Sequence, residues 1–180
     1  MDCTTKQKIS LYLFAVCFSF STIGIITFHD VFGEQNGSRF SISKLVGEEG
    51  SGDGQFRVPH SIAFDSLKNV YVTDTNNHRV QKFTSDGQFV SKWGTEGTGD
   101  GEFSLPLGID TDSLDNVYVA DQGKSDIQKF TSDGQFVSKW GTEEFGNIKL
   151  KQIEDIEIDS YDNIYITDRG AHQILKITLK

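Results

Sequence analysis

Cysteine is nearly absent: the chain of 180 residues has two, Cys3 and Cys17, both in its N-terminal leader. The remainder can form no disulfide and no thiolate metal site, so it must hold together by packing. Proline is as scarce, with 2 residues against 18 glycines, which fits many tight turns rather than a stiff linker. No stretch beyond residue 40 keeps a helical period of apolar residues. Catalytic signatures are missing too: there is no G-x-S-x-G elbow, no phosphate-cradling G-x-x-x-x-G-K-[ST] and no H-E-x-x-H. Positive charge is in short supply. Residues 1–39 carry three basic and three acidic groups, so the whole net charge of −9 falls on residues 40–180. Such a surface repels phosphate backbones, and nucleic acid is an unlikely ligand class for it.

What is present is apolar material in two forms. The first is a run without charge, ISLYLFAVCFSFSTIGII at 9–26, continuing through Thr27 and Phe28. About 20 such residues cross a bilayer as a helix. Lys6 and Lys8 precede the run, and Asp30 and Glu34 follow it. The positive-inside bias places the N-terminus in the cytoplasm and the rest of the chain outside. No A-x-A cleavage site stands out. Residues 1–33 are therefore expected to be an uncleaved, helical signal anchor, with a cleaved signal peptide (and secretion) as the alternative, and 34–39 a linker.

The second form is a repeat. QKFTSDGQFVSKWGTE occupies residues 81–96 and again 128–143, 47 positions on. The same period returns GDGQF (52–56) as GDGEF (99–103), and NVYVTD (69–74) as NVYVAD (116–121) and NIYITD (163–168). Periods of 20–50 residues indicate solenoids, propellers or arrays. Each period holds four short alternating segments rich in Val, Ile, Phe, Tyr and Trp. In the first unit these are 61–65, 69–73, 79–84 and 88–93, and they read as strands. SLKN (66–69), SLDN (113–116) and SYDN (160–163) read as hairpin loops. Asp86-Gly87 and Asp133-Gly134 suit a type I′ turn.

Four antiparallel strands every 40–50 residues make a propeller blade. The expected fold is all-β: a partial propeller of about three blades over residues 40–180. The units run 50–96, 97–143 and 144–180, and FSISKLVG (40–47) aligns with the fourth strand alone. One sheet cannot bury both faces, so neighbouring copies must cover them. That is the physical reason for writing one sentence twice. Three blades fall below the usual four to eight. A homodimer completing a six-bladed ring, an open arc, and a fragment of a longer gene all remain open.

GDGQFRVPHSIAFD, NVYVTDTNNHRVQKF and SDGQFVSKWG together resemble the NHL-repeat family. The third unit departs from the pattern: Leu150 and Ile153 replace its Phe and Pro, and it has no Gly-Asp-Gly. The resemblance implies a six-bladed propeller architecture used to bind proteins or RNA. It also implies a minority of related propeller enzymes, lyases among them, that use His-bound metal.

The candidate residues fall in columns of the repeat. Asp74, Asp121 and Asp168 follow the second strand, either as a ligand rim or as Asx turns that bind backbone N–H groups. Asn77, His78, Arg79, Lys124, Arg169 and His172 lie in the loops beside them and complete the candidate rim. Three or four converging ligands make a metal site, and these columns sit on separate blades, so no metal is expected. Asp110 and Glu157 lie on the presumed inner strand, where acidic groups can attract a cation; calcium is the candidate, and no other cofactor is expected. Trp93 and Trp140 fit packing between blades better than a stacking platform. These readings converge on a non-catalytic module for a protein, peptide or glycan, displayed outside the cell on a membrane anchor. The rivals are a metal-dependent propeller enzyme of the lyase or lactonase type and a repeat remnant without its own function.

Overall fold

A computed structural model describes residues 41–141 and 148–178. The anchor and linker expected at 1–39 lie outside the described residues, as do 142–147. Among the described residues, no helix is long and apolar enough to cross a membrane. Ser43–Lys180 forms one compact unit, and everything below concerns that unit.

The unit is all-β. Its first sheet, blade 1, contains β1 (Pro59–Phe64), β2 (Val70–Asp74), β3 (Arg79–Phe83) and β4 (Phe89–Trp93), paired in that order. Blade 2 repeats it with β5 (Pro106–Thr111), β6 (Val117–Asp121), β7 (Asp126–Phe130) and β8 (Phe136–Trp140). Blade 3 holds β9 (Ile153–Ile158), β10 (Ile164–Asp168) and β11 (Gln173–Ile177). All pairings are antiparallel. The single helical element among the described residues is a 3-10 turn at Thr75–Asn77.

Each sheet buries one face against the next. Between blades 1 and 2, Ala63, Tyr71 and Val80 meet Phe103, Ile109, Val117, Val119 and Phe130, with Trp93 against them. Between blades 2 and 3, Tyr118, Ala120 and Ile127 meet Leu150, Ile153, Ile156, Ile164 and Ile166. Six columns recur one period apart: Tyr71 and Tyr118, Val80 and Ile127, Phe103 and Leu150, Ile109 and Ile156, Val117 and Ile164, and Val119 and Ile166. Trp93 packs on Phe130 of the next blade at 5.9 Å between ring centroids. It also lies across Gly134, where an added Cβ would come within 2.6 Å of the indole. The tryptophan is thus inter-blade packing. Polar bonds stitch the same junctions. The Thr73 hydroxyl donates to the Leu107 carbonyl (2.7 Å), and Thr75 donates to Pro106 (2.8 Å). Ser66 donates to Asp115 through N–H and hydroxyl (2.8 and 2.7 Å), and Ser113 does the same to Asp162 (2.8 and 2.7 Å).

Two local expectations are corrected. The Asp86-Gly87 and Asp133-Gly134 turns are not type I′, because only the glycines have positive φ (85° and 82°). The Gly87 N–H donates to the Thr84 carbonyl and the Thr84 N–H to the Gln88 carbonyl (2.9 Å each), a longer loop ending in one left-handed glycine. The Thr84 side chain decides this: its hydroxyl accepts from the Gln88 N–H at 3.0 Å and donates to Asp86. The second correction concerns residues 41–47, which form no strand. They align with β4 and β8, but a fourth strand needs a third strand beside it, and blade 1 already has its own fourth strand.

Candidate functional site

The second strand of every blade ends in an aspartate, and the chain must then return to the next strand past the segment that led into the blade. Asp74, Asp121 and Asp168 sit at that crossing and are buried. Asp74 accepts from the Arg57 N–H (2.7 Å), the Asn77 amide (2.8 Å), the Arg79 Nε (2.8 Å) and the Gln81 amide (3.2 Å). Asp121 accepts from the N–H groups of Ser104, Leu105 and Gly123 at 2.7, 2.8 and 3.0 Å. Asp168 accepts from Lys151, Gln152 and Ala171 at 3.0, 3.1 and 3.1 Å. Burial works against the Asp168 charge, but the Gln152, Lys151 and Ala171 donors outweigh it and hold its carboxyl below the ordinary range. Each carboxylate ties its own blade's lead segment to its second strand. With their oxygens spent on protein donors and out of solvent, these three groups have little left to offer a ligand.

The neighbouring rim residues are spent in the same way, by different chemistry in each blade. In blade 1, the buried Arg79 guanidinium donates to the carbonyls of Ser51, Gly52 and Gln55 (2.8, 2.9 and 2.8 Å). In blade 2, that column is Asp126, and the cation has moved to the column of Asn77. Lys124 donates to Gly99 and Glu102 (3.3 and 2.9 Å) and lies 3.4 Å from Asp126. Burial raises the Asp126 carboxyl above its ordinary range against the pull of Lys124, and its Oδ1 is buried without a hydrogen-bond partner. Asn77 itself donates to Gly50 (2.8 Å) as well as to Asp74. His78, in a left-handed conformation, is within 2.8 Å of the Ser104 carbonyl through Nδ1. In blade 3, Arg169 and His172 are exposed, with Glu154 3.8 Å from the Arg169 guanidinium. The rim residues therefore do not converge on a common point: those of blades 1 and 2 brace lead segments, and those of blade 3 face solvent.

Gln81 and Gln128 complete the brace. Each accepts from a lead-segment glycine, Gly54 (3.0 Å) or Gly101 (2.8 Å), and donates to a carbonyl, Gln55 (2.7 Å) or Glu102 (2.8 Å). In the third unit the column holds Leu175, and the Gly-Asp-Gly it would bind is also gone. The glutamine and the Gly-Asp-Gly are absent from the third unit together.

On the inner strands, Asp110 accepts from its neighbour Thr111 N–H (2.8 Å) and from Ile158 N–H across the blade junction (2.6 Å). Burial raises its carboxyl above the ordinary range. Glu157 is exposed; desolvation, then Asp110 and Asp155, raise it as well. Among the described residues, no three His, Cys, Asp or Glu side chains are placed to hold a metal ion.

A second network lies at the opposite end of the strands. Asp65 accepts from the N–H groups of Leu67 (3.0 Å) and Asn69 (2.8 Å), the Asn69 amide (2.8 Å) and the Tyr71 hydroxyl (3.0 Å). Lys82 stands 3.5 Å from it and over the Tyr71 ring. Asp112, Asn116, Tyr118 and Lys129 repeat this in blade 2. Asp159, Asn163, Tyr165 and Lys176 repeat it in blade 3. Burial opposes the charge on Asp65 and Asp112, yet the asparagine donors hold both carboxyls low. The Asn163 amide brings Asp159 down to about 2. The signal was in the sequence: these four residue types recur in all three units without exception.

One concavity is of another kind. It is an apolar groove of about 810 Å³ on the outer face of blade 1, lined by Leu45, Val46, Phe56, Ile62, Phe64 and Val72 among others. One period later, Phe103, Ile109 and Val119 are buried under blade 1. The groove is a blade junction with one side open.

Residues 56–83 match the family profile of the NHL repeat, from the last lead residue of blade 1 to the end of β3. Residues 56–83 carry an NHL repeat. NHL repeat-containing protein 3 of Homo sapiens is 42% identical over 55 residues, which cover 30% of this chain and 16% of that protein. Protein lin-41 of Caenorhabditis elegans is 50% identical over 46 residues, covering 26% of this chain and 4% of that one. Among solved structures, virginiamycin B lyase of Staphylococcus aureus superposes with a TM-score of 0.53. It is 18% identical over 67% of this chain and 38% of the lyase. That likeness shows the fold, a propeller. The matched stretches cover well under half the length of each of these three proteins.

Proposed function

We propose that this NHL-repeat chain is a non-catalytic module that binds protein. One observation carries the reading: an apolar sheet face is open on blade 1, although the same columns of blade 2 form a closed junction. A protein surface matches that face, since it can supply a second apolar sheet; a glycan would need polar groups that the groove hardly presents. The buried aspartates and braced cations of the rim leave little there for a small ligand. Calcium has its best place beside Asp110 and Glu157, and a titration of the purified chain with the ion, followed by melting, tests it. Display outside the cell on an anchor at 9–28 is part of the proposal. Lys6 and Lys8 support the orientation, and protease digestion of intact cells checks it.

The binding reading is tested with a photo-crosslinking amino acid at Phe64 in the full chain, activated in its native membrane setting. A covalent adduct to a polypeptide is expected. Absence of any polypeptide adduct, with the photo-group at position 64 shown to be activated by its capture of a small apolar probe, overturns the reading.

A further inference from the structure

We propose that the polypeptide covering blade 1 is a second copy of this chain. Each copy lays residues 42–46 along β11 of the other, and two sets of three blades close one six-bladed ring. The proposal rests on the interaction-module reading above and names its partner.

The first support is that residues 45–56 already adopt the course that 92–103 take. The Phe56 N–H donates to Glu48 and the Gly50 N–H to Phe56 (2.8 and 3.1 Å). One period on, Phe103 donates to Thr95 and Gly97 to Phe103 at the same distances. Glu49 bridges Phe56 in parallel, as Glu96 bridges Phe103. Val46, in the column of Trp93, packs against Val70, Val72 and Phe83 as Trp93 packs against Val117, Val119 and Phe130. Val46 thus stands against blade 1 as Trp93 of β4 stands against blade 2. β4 reaches that place while paired with β3 of the preceding blade. Among the described residues, no strand pairs with residues 43–46.

The second support is that β11 is an edge strand of its sheet among the described residues. The Val80–Trp93, Gln81–Lys92 and Lys82–Ser91 pairs of blade 1 translate into Ile174, Leu175 and Lys176 opposite Val46, Leu45 and Lys44 of the other copy. Ile174 is 74% exposed, whereas Val80 and Ile127 in its column are both at 0%. On the receiving side, Ile62 is 56% exposed against 3% for Ile109 and 1% for Ile156. Val58 is held at φ 56°, a conformation that β-branched residues avoid, while Leu105 in its column has an ordinary negative φ. Thr167 sits in the column of Thr73, so its hydroxyl would meet the other copy's carbonyl at His60.

The contact is head-to-tail, but a two-fold axis makes both junctions identical, and six blades lie within the range in which such rings close. Two columns do not match. The aspartates that receive Ser66 and Ser113 are replaced in blade 1 by Lys68, so Ser160 would have no carboxylate across the new junction. Lys44 would also stand opposite Lys176. The junction between copies is accordingly weaker than the two within a chain.

The test uses full-length chains in which Cys3 and Cys17 are serine. Two differently tagged versions, Val46→Cys and Ile174→Cys, are co-expressed and oxidised. A disulfide-linked pair of both tags is expected, since neither version can form the bond alone. Val46→Cys with Tyr161→Cys, on an exposed loop, should not link. Adding Lys68→Asp should tighten the dimer about tenfold by restoring the serine–carboxylate clamp. A chain that remains monomeric by sedimentation at micromolar concentration, with no mixed disulfide, overturns the proposal. So does an unchanged or weakened dimer on Lys68→Asp. If the Phe64 photo-adduct then contains another protein, the interaction module stands and only the partner was wrong; if there is no adduct, both fall.

Discussion

Ile62 and Ile109 occupy one column of the repeat, on strands of the same length and register, with opposite surroundings. Ile109 is sealed against blade 1, and Ile62 looks outward. The same holds for Pro59 and Pro106, and for Phe56 and Phe103 in lesser degree. The repeat unit therefore specifies a surface, and a neighbour decides whether that surface is core. In such a stack the stability of one unit resides largely in its interfaces, so blade 1 is less secured than blade 2 although 31 of the 47 positions in their units are identical.

Substitution pairs in one column measure that difference directly. The largest effect is expected for Phe103→Ala, at about 4 kcal/mol of unfolding free energy in urea titrations of the full chain, with Phe56→Ala costing about half. In chain diluted until it is monomeric, Ile109→Ala should cost about 3 kcal/mol and Ile62→Ala less than about 1. At concentrations where two copies pair, the two costs should approach each other. Thr73→Val leaves the Leu107 carbonyl without its donor and should cost about 1–2 kcal/mol, whereas Thr167→Val should be close to neutral in the dilute monomer; thermal melts of the two variants suffice.

The smallest effect concerns pH. Asp65, Asp112, Asp159 and Asp168 have depressed carboxyls. They contribute stability that is present above the ordinary carboxylate range and lost as pH falls through their folded values, near 2 for Asp159. Asp110, Asp126 and Glu157 are raised, so their cost is relieved as acid protonates them first. The melting temperature should rise slightly from pH 7 to about 5 and fall below about 3.5. A monotonic decline from pH 7 would show that the raised groups are charged at no cost.

Much of the fold was legible because the period of 47 residues exposes alternation that a single short strand would leave ambiguous. All eleven strands lie within two residues of the segments read from the repeat. The turn type was missed because Asp-Gly alone does not fix it; Thr84 and Thr131, two residues earlier, bind the following strand and lengthen the loop. At the rim, column logic reaches the aspartates and their Asx geometry, but the basic residue that is Arg79 in blade 1 is Lys124 in blade 2, in another column. It is a cation moved by two residues that reaches the same carbonyls, which only coordinates reveal. The Asp–Asn–Tyr–Lys network is the opposite case. It is spelled out three times, yet its members are ordinary residue types with no spacing that marks them as a unit in sequence.

The verbatim copy also bears on how the chain assembles. β4 and β8 are both FVSKW, and the strands that receive them, β3 and β7, end alike in QKF. To a chain that has just collapsed, the two slots have nearly the same address. Refolding from denaturant at high concentration should therefore yield exchanged species, with one molecule's β8 lodged beside another's β3, and dilution should suppress them.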